Sequence, residues 1–417
     1  MTDEPDHQPR ATARDAFRVR PLRFLLLGGM GLQLGGWIQR VALLWLIFEM
    51  TGSAAQLGGV AFVQNIFILI VAPLTGPLAD SIGARRSLMG AALLQAGSAV
   101  LIATAVFTGS ISIPLIYVVA VVYGVGQAVN QPMRNLLVYD AVGRELLKPA
   151  LALNALTGNV MRVVGPSIGG LIVGTLGSEF AFAAQAVLLL GSVWAVWALR
   201  IDARRAGARL PLVQELTSAI QHVRGNRPVR ISIVVALLAS SLVYPYMQFL
   251  PVFVDNLGSD ATGFGIMASA IGVGSLVGTL YVATGRGGMR TMLWSGFAYM
   301  ALLVAFTWMP HFWMAFGTLV VAGVAHSLYS TLNQALLQLN AGEEYRARVM
   351  GLYTWTGGLE PFTLLGLGVL VDRFGASNAV GVSIAIAAAI TFALALDMTR
   401  SEAGASRRAA VAREAGD

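Results

Sequence analysis

The sequence contains no cysteine, little charge and few histidines. Without cysteine, the 417-residue chain can form neither a disulfide framework nor a thiolate metal site, and its four histidines form no convincing metal site. Charged residues make up 12% of the chain. The usual share in a soluble domain is about 25%. We therefore predict no metal and no cofactor, and we expect that the chain is not a soluble domain.

Long apolar runs recur along almost the whole chain. Hydrophobic residues make up 56% of it and the mean hydropathy is +0.70. A run of about 20 apolar residues crosses a bilayer as a helix, because lipid offers no partner for free backbone N–H and C=O groups. We predict an all-α integral membrane protein with spans at residues 24–47, 55–79, 87–108, 112–136, 148–174, 180–199, 231–254, 262–284, 291–309, 312–338, 348–371 and 376–397.

The basic residues fall in alternate connections between these spans. They occupy both tails and the connections at 80–86, 140–148, 200–230, 286–290 and 346–348, with Arg373 as the exception on the opposite side. Such a bias marks the cytoplasmic side, so we expect both termini in the cytoplasm and the chain in a bacterial inner membrane. The net charge of +7 then reflects membrane topology, and we predict no nucleic-acid partner.

The pattern divides the chain into two halves of six spans. Matching positions, such as Asn130-Gln131 with Asn333-Gln334, indicate an internal repeat. The predicted regions are a cytoplasmic tail at 1–23, a first half at 24–199, a basic linker at 200–230, a second half at 231–397 and a cytoplasmic tail at 398–417.

Three segments carry a family resemblance. Residues 76–86 read Gly, three residues, Asp and then a basic cluster, which is similar to the signature loop of the major facilitator superfamily. Residues 162–170 resemble the Gly-Pro and Gly-Gly motif of drug and metabolite antiporters. Residues 37–53 and 130–134 resemble the branch that holds macrolide exporters and the enterobactin exporter. The resemblance implies the major facilitator fold, with two pseudo-symmetric six-helix halves.

The resemblance also assigns two groups of residues. It implies a cytoplasmic latch between the halves, formed by Gly76, Asp80, Gly83, Arg85, Arg86 and Asp140. It implies a tight helix contact that limits leak, formed by Gly165, Pro166, Gly169 and Gly170. The alternatives are loop charges that only set topology and ordinary helix packing. Ala120 stands where many proton-coupled antiporters carry an arginine, so the usual proton relay does not carry over.

Charges near the middle of apolar spans are costly and usually face the bundle interior or a wet cavity. Glu360 directly precedes Pro361 and could take up a proton that couples transport. The alternative is a structural pair with Arg162 or Arg40. These three residues and His326 are the candidates for coupling, although His326 could equally be a neutral hydrogen-bonding residue.

Polar residues also form stripes at helical spacing on otherwise apolar spans. Such a stripe faces water or protein rather than lipid, and the resemblance places spans 1, 4, 7 and 10 around a central cavity. The alternatives are hydrogen bonds between helices and, for the tyrosines, the outer membrane interface. The cavity-lining candidates are Gln33, Gln39, Gln127, Asn130, Gln131, Arg134, Ser330, Asn333, Gln334, Tyr244, Tyr246 and Trp355.

These observations together predict a secondary active exporter of a small amphipathic molecule, drug-like or a siderophore. We expect proton antiport, alternating access and a monomer in the lipid bilayer. The sequence has no nucleotide-binding loop and no nucleophile constellation, so we expect neither ATP-driven transport by this chain nor an enzyme. The alternatives are an importer or facilitator of a nutrient or lipid-like solute, and a membrane sensor or scaffold that does not transport.

Overall fold

The computed structural model describes residues 12–71, 74–143, 145–199, 212–282 and 287–414. Parts of the predicted tails and linker, at 1–11, 200–211 and 415–417, lie outside the described residues, as do the basic positions 144 and 286. In chain order the α-helices are α1 (Ala13–Arg18), α2 (Arg20–Thr51), α3 (Ala54–Val71), α4 (Thr75–Ile82), α5 (Ala84–Phe107), α6 (Ile113–Val142), α7 (Leu147–Leu176), α8 (Ser178–Trp197), α9 (Leu212–Gly225), α10 (Arg227–Leu238), α11 (Leu250–Asn256), α12 (Ala261–Val282), α13 (Met289–Phe306), α14 (Phe312–Asn340), α15 (Gly342–Trp355), α16 (Glu360–Phe374) and α17 (Ala376–Glu414).

Eleven of the predicted spans match helical segments that are long and apolar enough, within the described residues, to cross a bilayer. The span predicted at 348–371 is built from two helices instead. α15 ends at Trp355, a 3-10 turn follows at Thr356–Leu359, and α16 then begins at Glu360. Pro361 explains the restart, because proline has no N–H to continue a helix but fits well in a first turn. The predicted all-α membrane fold is confirmed.

The seventh span also changes its helix type along its length. α10 passes into a π-helical turn at Ala239–Val243 and a 3-10 turn at Tyr244–Gln248 before α11 begins. Prolines occupy the first turns of the last two elements, at Pro245 and Pro251. The backbone therefore leaves regular α geometry at the level where Tyr244 and Tyr246 lie.

Two predicted connections are helical where the structure describes them. α9 forms inside the predicted linker, and α10 begins at Arg227, four residues before the predicted span. Asn226 starts α10, since its side chain accepts a hydrogen bond from the N–H of Val229 at 3.2 Å. At the other end of the chain, α17 continues as one helix through the predicted tail to Glu414.

The helices group into two compact units. One comprises Met1–Leu43 and Ile66–Gly207, and in it α5 packs against α6 and α8. The other comprises Leu44–Asn65 and Ala208–Asp417, and in it α14 packs against α12 and α13. The end of α2 and most of α3 thus pack with the second unit, although they belong to the first six spans along the chain.

Glycines let α12 and α14 of the second unit approach each other closely. A Cβ added to Gly274 of α12 would lie 2.9 Å from the Cα of Gly323 of α14, and one added to Gly278 would lie 2.9 Å from Ser327 Cβ. Small residues let helix backbones approach in this way, which matters in lipid because the hydrophobic effect drives little association there.

Candidate functional site

Arg134 is a buried charge in the middle of the first unit. Its side chain on α6 is 4% exposed. Its guanidinium donates from Nη1 to the carbonyl of Gly29 on α2 and from Nη2 to Oε1 of Gln131, both at 3.4 Å. Nε has no hydrogen-bond partner within the part of the chain that the structure describes. Because Nε has no partner there, this arginine keeps an unused hydrogen-bond donor. Such a donor is costly, since a buried charge needs hydrogen bonds to offset its desolvation.

Gln33 adds a second unfilled donor on α2. Its Nε2 is buried, and the described residues offer it no hydrogen-bond partner. A Cβ added to Gly158 of α7 would lie 3.0 Å from Gln33 Oε1. A Cβ added to Gly29 of α2 would lie 2.6 Å from Arg134 Nη1. Glycines on α2 and α7 therefore make room for long polar side chains between the helices.

The polar stripe on α6 is only partly buried. Asn130 is buried and donates to Oε1 of Gln127 at 3.5 Å, whereas Gln127 and Gln131 are exposed. Gln131 in turn accepts from Arg134, as the helical spacing of the two residues predicts. Gln39, a cavity-lining candidate on α2, is buried.

The antiporter motif packs α7 directly against α2. A Cβ added to Gly165 would lie 2.6 Å from Trp37 Cβ, and one added to Gly169 would lie 3.1 Å from Ile38 Cα. Pro166 and Gly170, the other two motif residues, are also buried. The motif is thus a close helix contact in this structure, in which a Cβ at Gly165 would force a shift and a Cβ at Gly169 would be tightly packed.

Two of the coupling candidates lie beside this contact. The Arg40 guanidinium stands over the ring of Trp37, at 5.0 Å from the ring centroid, in a cation–π arrangement. Trp37 itself packs on Gly165. Arg162 precedes the motif on α7 and is exposed on the surface of its unit. The two arginines are therefore held at the flanks of the α2–α7 contact.

The second unit contains a polar group around α14. Asn333 is 0% exposed and donates from Nδ2 to the carbonyl of Ser232 on α10 at 3.3 Å. Among the described residues, neither Asn333 Oδ1 nor Ser232 Oγ has a hydrogen-bond partner. Asn333 occupies the position that the internal repeat matches to Asn130, so both units bury an asparagine at this place.

His326 lies among aromatic rings. Its ring centroid is 5.8 Å from that of Tyr244, edge to face, and 4.9 Å from that of Tyr299. Aromatic pairs favour such tilted arrangements. Tyr246, by contrast, is buried against Phe306, at 6.3 Å between centroids. The irregular stretch of the seventh span thus brings Tyr244, but not Tyr246, to the histidine.

The remaining candidates of the second unit lie towards α15. Ser330 donates to the carbonyl of Ser327 at 3.4 Å, and Gln334 Nε2 donates to Tyr353 Oη at 3.4 Å. Trp355 is exposed and ends α15. Glu360 is half-buried at the first position of α16. A helix N-terminus carries a positive partial charge, which stabilises a carboxylate there.

The predicted latch segment forms a tight turn between α4 and α5. Asp80 is exposed in the last turn of α4, and Gly83 adopts a φ of +90° that most residues avoid. Arg85 donates from Nε to the carbonyl of Val196 at 3.1 Å and from Nη2 to that of Trp197. The basic cluster therefore caps the end of α8, where free carbonyls favour a cation. Gly76 lies in α4, Arg86 is exposed, and Asp140 is half-buried on α6.

Sequence reasoning did not single out Asp372, which the structure places in a dense set of hydrogen bonds. Its carboxylate on α16 accepts from the hydroxyl of Ser53 at 2.7 Å and from the N–H groups of Ala54 and Ala55 at the start of α3. The sequence analysis noted only Arg373 in the loop between the last two predicted spans, because the assignment of membrane sides uses basic residues alone.

The sequence matches a family model along most of its length. Residues 12–414 match the family of transmembrane secretion effectors, MFS_3. The chain belongs to this family. The predicted membership of the major facilitator superfamily is confirmed, and the chain is a multi-pass membrane transporter.

Three relatives resemble the transporter over much of its length. The multidrug efflux pump Tap of Mycolicibacterium fortuitum is 26% identical and covers 85% of this chain and 90% of its own. The staphyloferrin A transporter of Staphylococcus aureus is 23% identical, over 82% of this chain and 87% of its own. The enterobactin exporter EntS of Escherichia coli is 26% identical, over 62% of this chain and 64% of its own.

Solved structures support the fold. A bacterial homologue of the human lysosomal transporter Spinster superposes with a TM-score of 0.71 at 14% identity, over 90% of this chain and 97% of that one. A D-xylose–proton symporter superposes with a TM-score of 0.65 at 14% identity, over 90% and 96% of the two chains. At such low identity the likeness concerns the fold alone.

Proposed function

We propose that this transporter is a secondary active exporter of a small amphipathic molecule, drug-like or a siderophore, that works by alternating access. The observation that carries the proposal is the pair of polar side chains Gln33 on α2 and Arg134 on α6, each of which keeps a buried hydrogen-bond donor without a partner among the described residues. The names of the relatives, a multidrug efflux pump and two siderophore transporters, support this substrate class.

The chemistry of the polar group fits an oxygen-rich ligand in an apolar bundle. An arginine and an amide offer N–H donors to carboxylate, carbonyl or hydroxyl oxygens, and a buried arginine adds charge assistance. Apolar walls with a few placed polar groups are typical of small-molecule sites. In the second unit, Asn333 Oδ1 is an unfilled acceptor and Ser232 Oγ is a hydroxyl without a partner among the described residues.

We further propose that proton entry through Glu360 drives export. A carboxylate within a membrane span is expensive and usually serves an ion or proton pathway. Glu360 stands where the span is interrupted, after the turn at Thr356–Leu359. Interrupted helices expose backbone groups, and membrane transporters place such breaks at their coupling sites. Arg162, Arg40 and His326 are the other candidates for this role.

The proposed orientation places both termini in the cytoplasm of a bacterial inner membrane, with the chain acting as a monomer. It rests on the alternation of arginine-rich and arginine-poor connections. The α4–α5 turn with Asp80 and Arg85 is then cytoplasmic, and the turn between α16 and α17 is on the outer side.

The test is proton-driven transport into inverted membrane vesicles. Energised vesicles are given a panel of siderophores and macrolides, and wild type is compared with Glu360→Gln and with Glu344→Gln. The second variant is the control, since Glu344 is an exposed carboxylate in the first turn of α15. We expect gradient-dependent accumulation in wild type and Glu344→Gln and its loss in Glu360→Gln.

Each other outcome has a clear meaning. Accumulation that survives Glu360→Gln keeps the exporter and assigns Glu360 to structure. Accumulation of these compounds only in right-side-out vesicles overturns export in favour of import. Equilibration of these compounds across the membrane without accumulation, whether or not a proton gradient is present, would remove antiport and leave facilitated diffusion.

A further inference from the structure

The N-terminus of α3 is capped by a residue from the far end of the chain. Ser53 Oγ donates to Asp372 Oδ2 at 2.7 Å, the Ala54 N–H donates to Oδ1 at 2.6 Å, and the Ala55 N–H donates to Oδ2 at 3.0 Å. The first N–H groups of a helix have no partner within it, and their positive end attracts a carboxylate. Both oxygens of Asp372 are thus engaged by the same helix terminus.

This cap differs from that of the corresponding helix in the second half. α12 begins after Gly258-Ser259, as α3 begins after Gly52-Ser53. There, the cap is local, because Asp260 Oδ1 accepts from the N–H of Gly263 three residues later. α3 has an alanine, Ala54, at the position that matches Asp260. Locally, Ser53 Oγ accepts from the Gln56 N–H at 3.4 Å, whereas the N–H groups of Ala54 and Ala55 are bound by the carboxylate that α16 supplies.

Close packing continues from this cap along α3 and α16. A Cβ on Gly368 would lie 2.7 Å from the carbonyl oxygen of Ala54, and one on Gly58 would overlap the carbonyl of Leu364. Further along, the rings of Phe62 and Phe362 meet edge to face, with 5.8 Å between their centroids. The two helices therefore form one seam, and Asp372 lies at its end.

The sequence around Asp372 repeats the latch segment. Residues 76–84 read GPLADSIGA and residues 368–376 read GVLVDRFGA, so that five of nine positions are identical. The backbones agree as well. Gly83 has a φ of +90° and its N–H binds the carbonyl of Ala79, and Gly375 has a φ of +82° and its N–H binds that of Val371. Each aspartate lies in the last turn of its helix, three residues before a glycine with a positive φ.

We propose that Asp372 is a gating residue, the outer counterpart of the cytoplasmic latch. Its carboxylate holds the N-terminus of α3 against α16, and it must release that terminus when the outer ends of spans 2 and 11 part. The assignment of this end to the outer side rests on the orientation given under the proposed function. The residue acts on the conformational equilibrium and need not touch the substrate.

Accessibility of a single cysteine tests the latch. The native chain has no cysteine, so Ala54→Cys introduces one reporter at a side chain that is 2% exposed beside the cap. A membrane-impermeant maleimide is added to intact cells, and its labelling rate is compared with and without Asp372→Asn. We expect about a tenfold faster reaction, because a hydrogen bond to a charged group stabilises a contact by roughly that factor or more.

Two controls isolate the latch. Ala315→Cys places the reporter at a 0% exposed residue near the start of α14, and its labelling should not respond to Asp372→Asn. Arg373→Gln removes the neighbouring exposed charge and should leave the labelling of the Ala54→Cys reporter unchanged. Ser53→Ala removes the hydrogen bond from Ser53 Oγ to Asp372 and the one that Ser53 Oγ accepts from the Gln56 N–H, but it keeps the carboxylate on the N–H groups of Ala54 and Ala55. It should therefore produce a smaller increase than Asp372→Asn.

The results separate this inference from the transport proposal. Equal labelling of the Ala54→Cys reporter in the presence and absence of Asp372→Asn overturns the latch. Faster labelling of both reporters also overturns it, since the substitution then loosens the whole fold. Labelling needs no substrate, so the latch can hold where export fails. Access to the Ala54→Cys reporter only in inverted vesicles would refute the outer location itself.

Discussion

Gly165→Ala tests the closest contact in the antiporter motif. The added Cβ would lie 2.6 Å from Trp37 Cβ and 3.0 Å from Trp37 Cγ. These atoms are at the base of the side chain, so the tryptophan cannot yield by rotating its tip. α7 or α2 must shift instead, and an overpacked contact of this kind costs about 1–3 kcal/mol.

The same exchange at an open site gives a matched control. A Cβ on Gly97 of α5 would meet nothing within 4 Å. Replacing a glycine inside a helix by alanine stabilises it by up to about 1 kcal/mol, because alanine has less backbone freedom to lose. Both variants gain this helix-propensity contribution, so it cancels in the comparison. We therefore expect Gly165→Ala to be less stable than Gly97→Ala by the overpacking cost alone, about 1–3 kcal/mol.

Unfolding by sodium dodecyl sulfate in mixed micelles, followed by tryptophan fluorescence, measures this difference. Gly165→Ala should unfold at a lower detergent fraction than wild type, and Gly97→Ala at an equal or higher one. If this contact also limits leak, as the family resemblance implies, vesicles with Gly165→Ala should lose substrate faster than wild type. Equal stability of the two variants would refute the packing argument.

Two further predictions concern Arg85 and the short helix α1, both in the first unit. Arg85→Gln should lower the free energy of unfolding by about 1–2 kcal/mol, since it removes the cation that caps α8, whereas Arg86→Gln at an exposed site should change it little. The second concerns pH. Hydrogen bonds from the Thr12 side chain and backbone lower the pKa of Asp15 below 3.8, so the capping box supports α1 above that pH and is lost as the pH falls through the lowered value. A spin label attached to Phe17→Cys should become more mobile as the pH falls through the lowered pKa of Asp15. Thr12→Ala should weaken this dependence of label mobility on pH. A label that ignores pH would contradict this account.

Much of the fold follows from properties local to each segment. A span needs about 20 apolar residues and an internally hydrogen-bonded backbone, so composition alone located the helices. Pro361 marked the place where the eleventh span is interrupted, although the sequence pattern ran the span straight through it. The glycines of span 5 likewise predicted a close contact, because only a small residue permits one.

The partners in those contacts could not be read from the chain. Which residue Gly165 meets, and which carbonyls Arg85 caps, depends on the rotation of each helix about its axis and on how far neighbours slide past one another. Hydrophobic periodicity is weak in lipid, since both the bundle and the bilayer accept apolar side chains. From the sequence, Asp372 was simply a residue of the short loop between the predicted spans 348–371 and 376–397. Only the tertiary structure brings it to Ser53, 319 residues away in sequence, because a helix terminus attracts a carboxylate wherever the chain can deliver one.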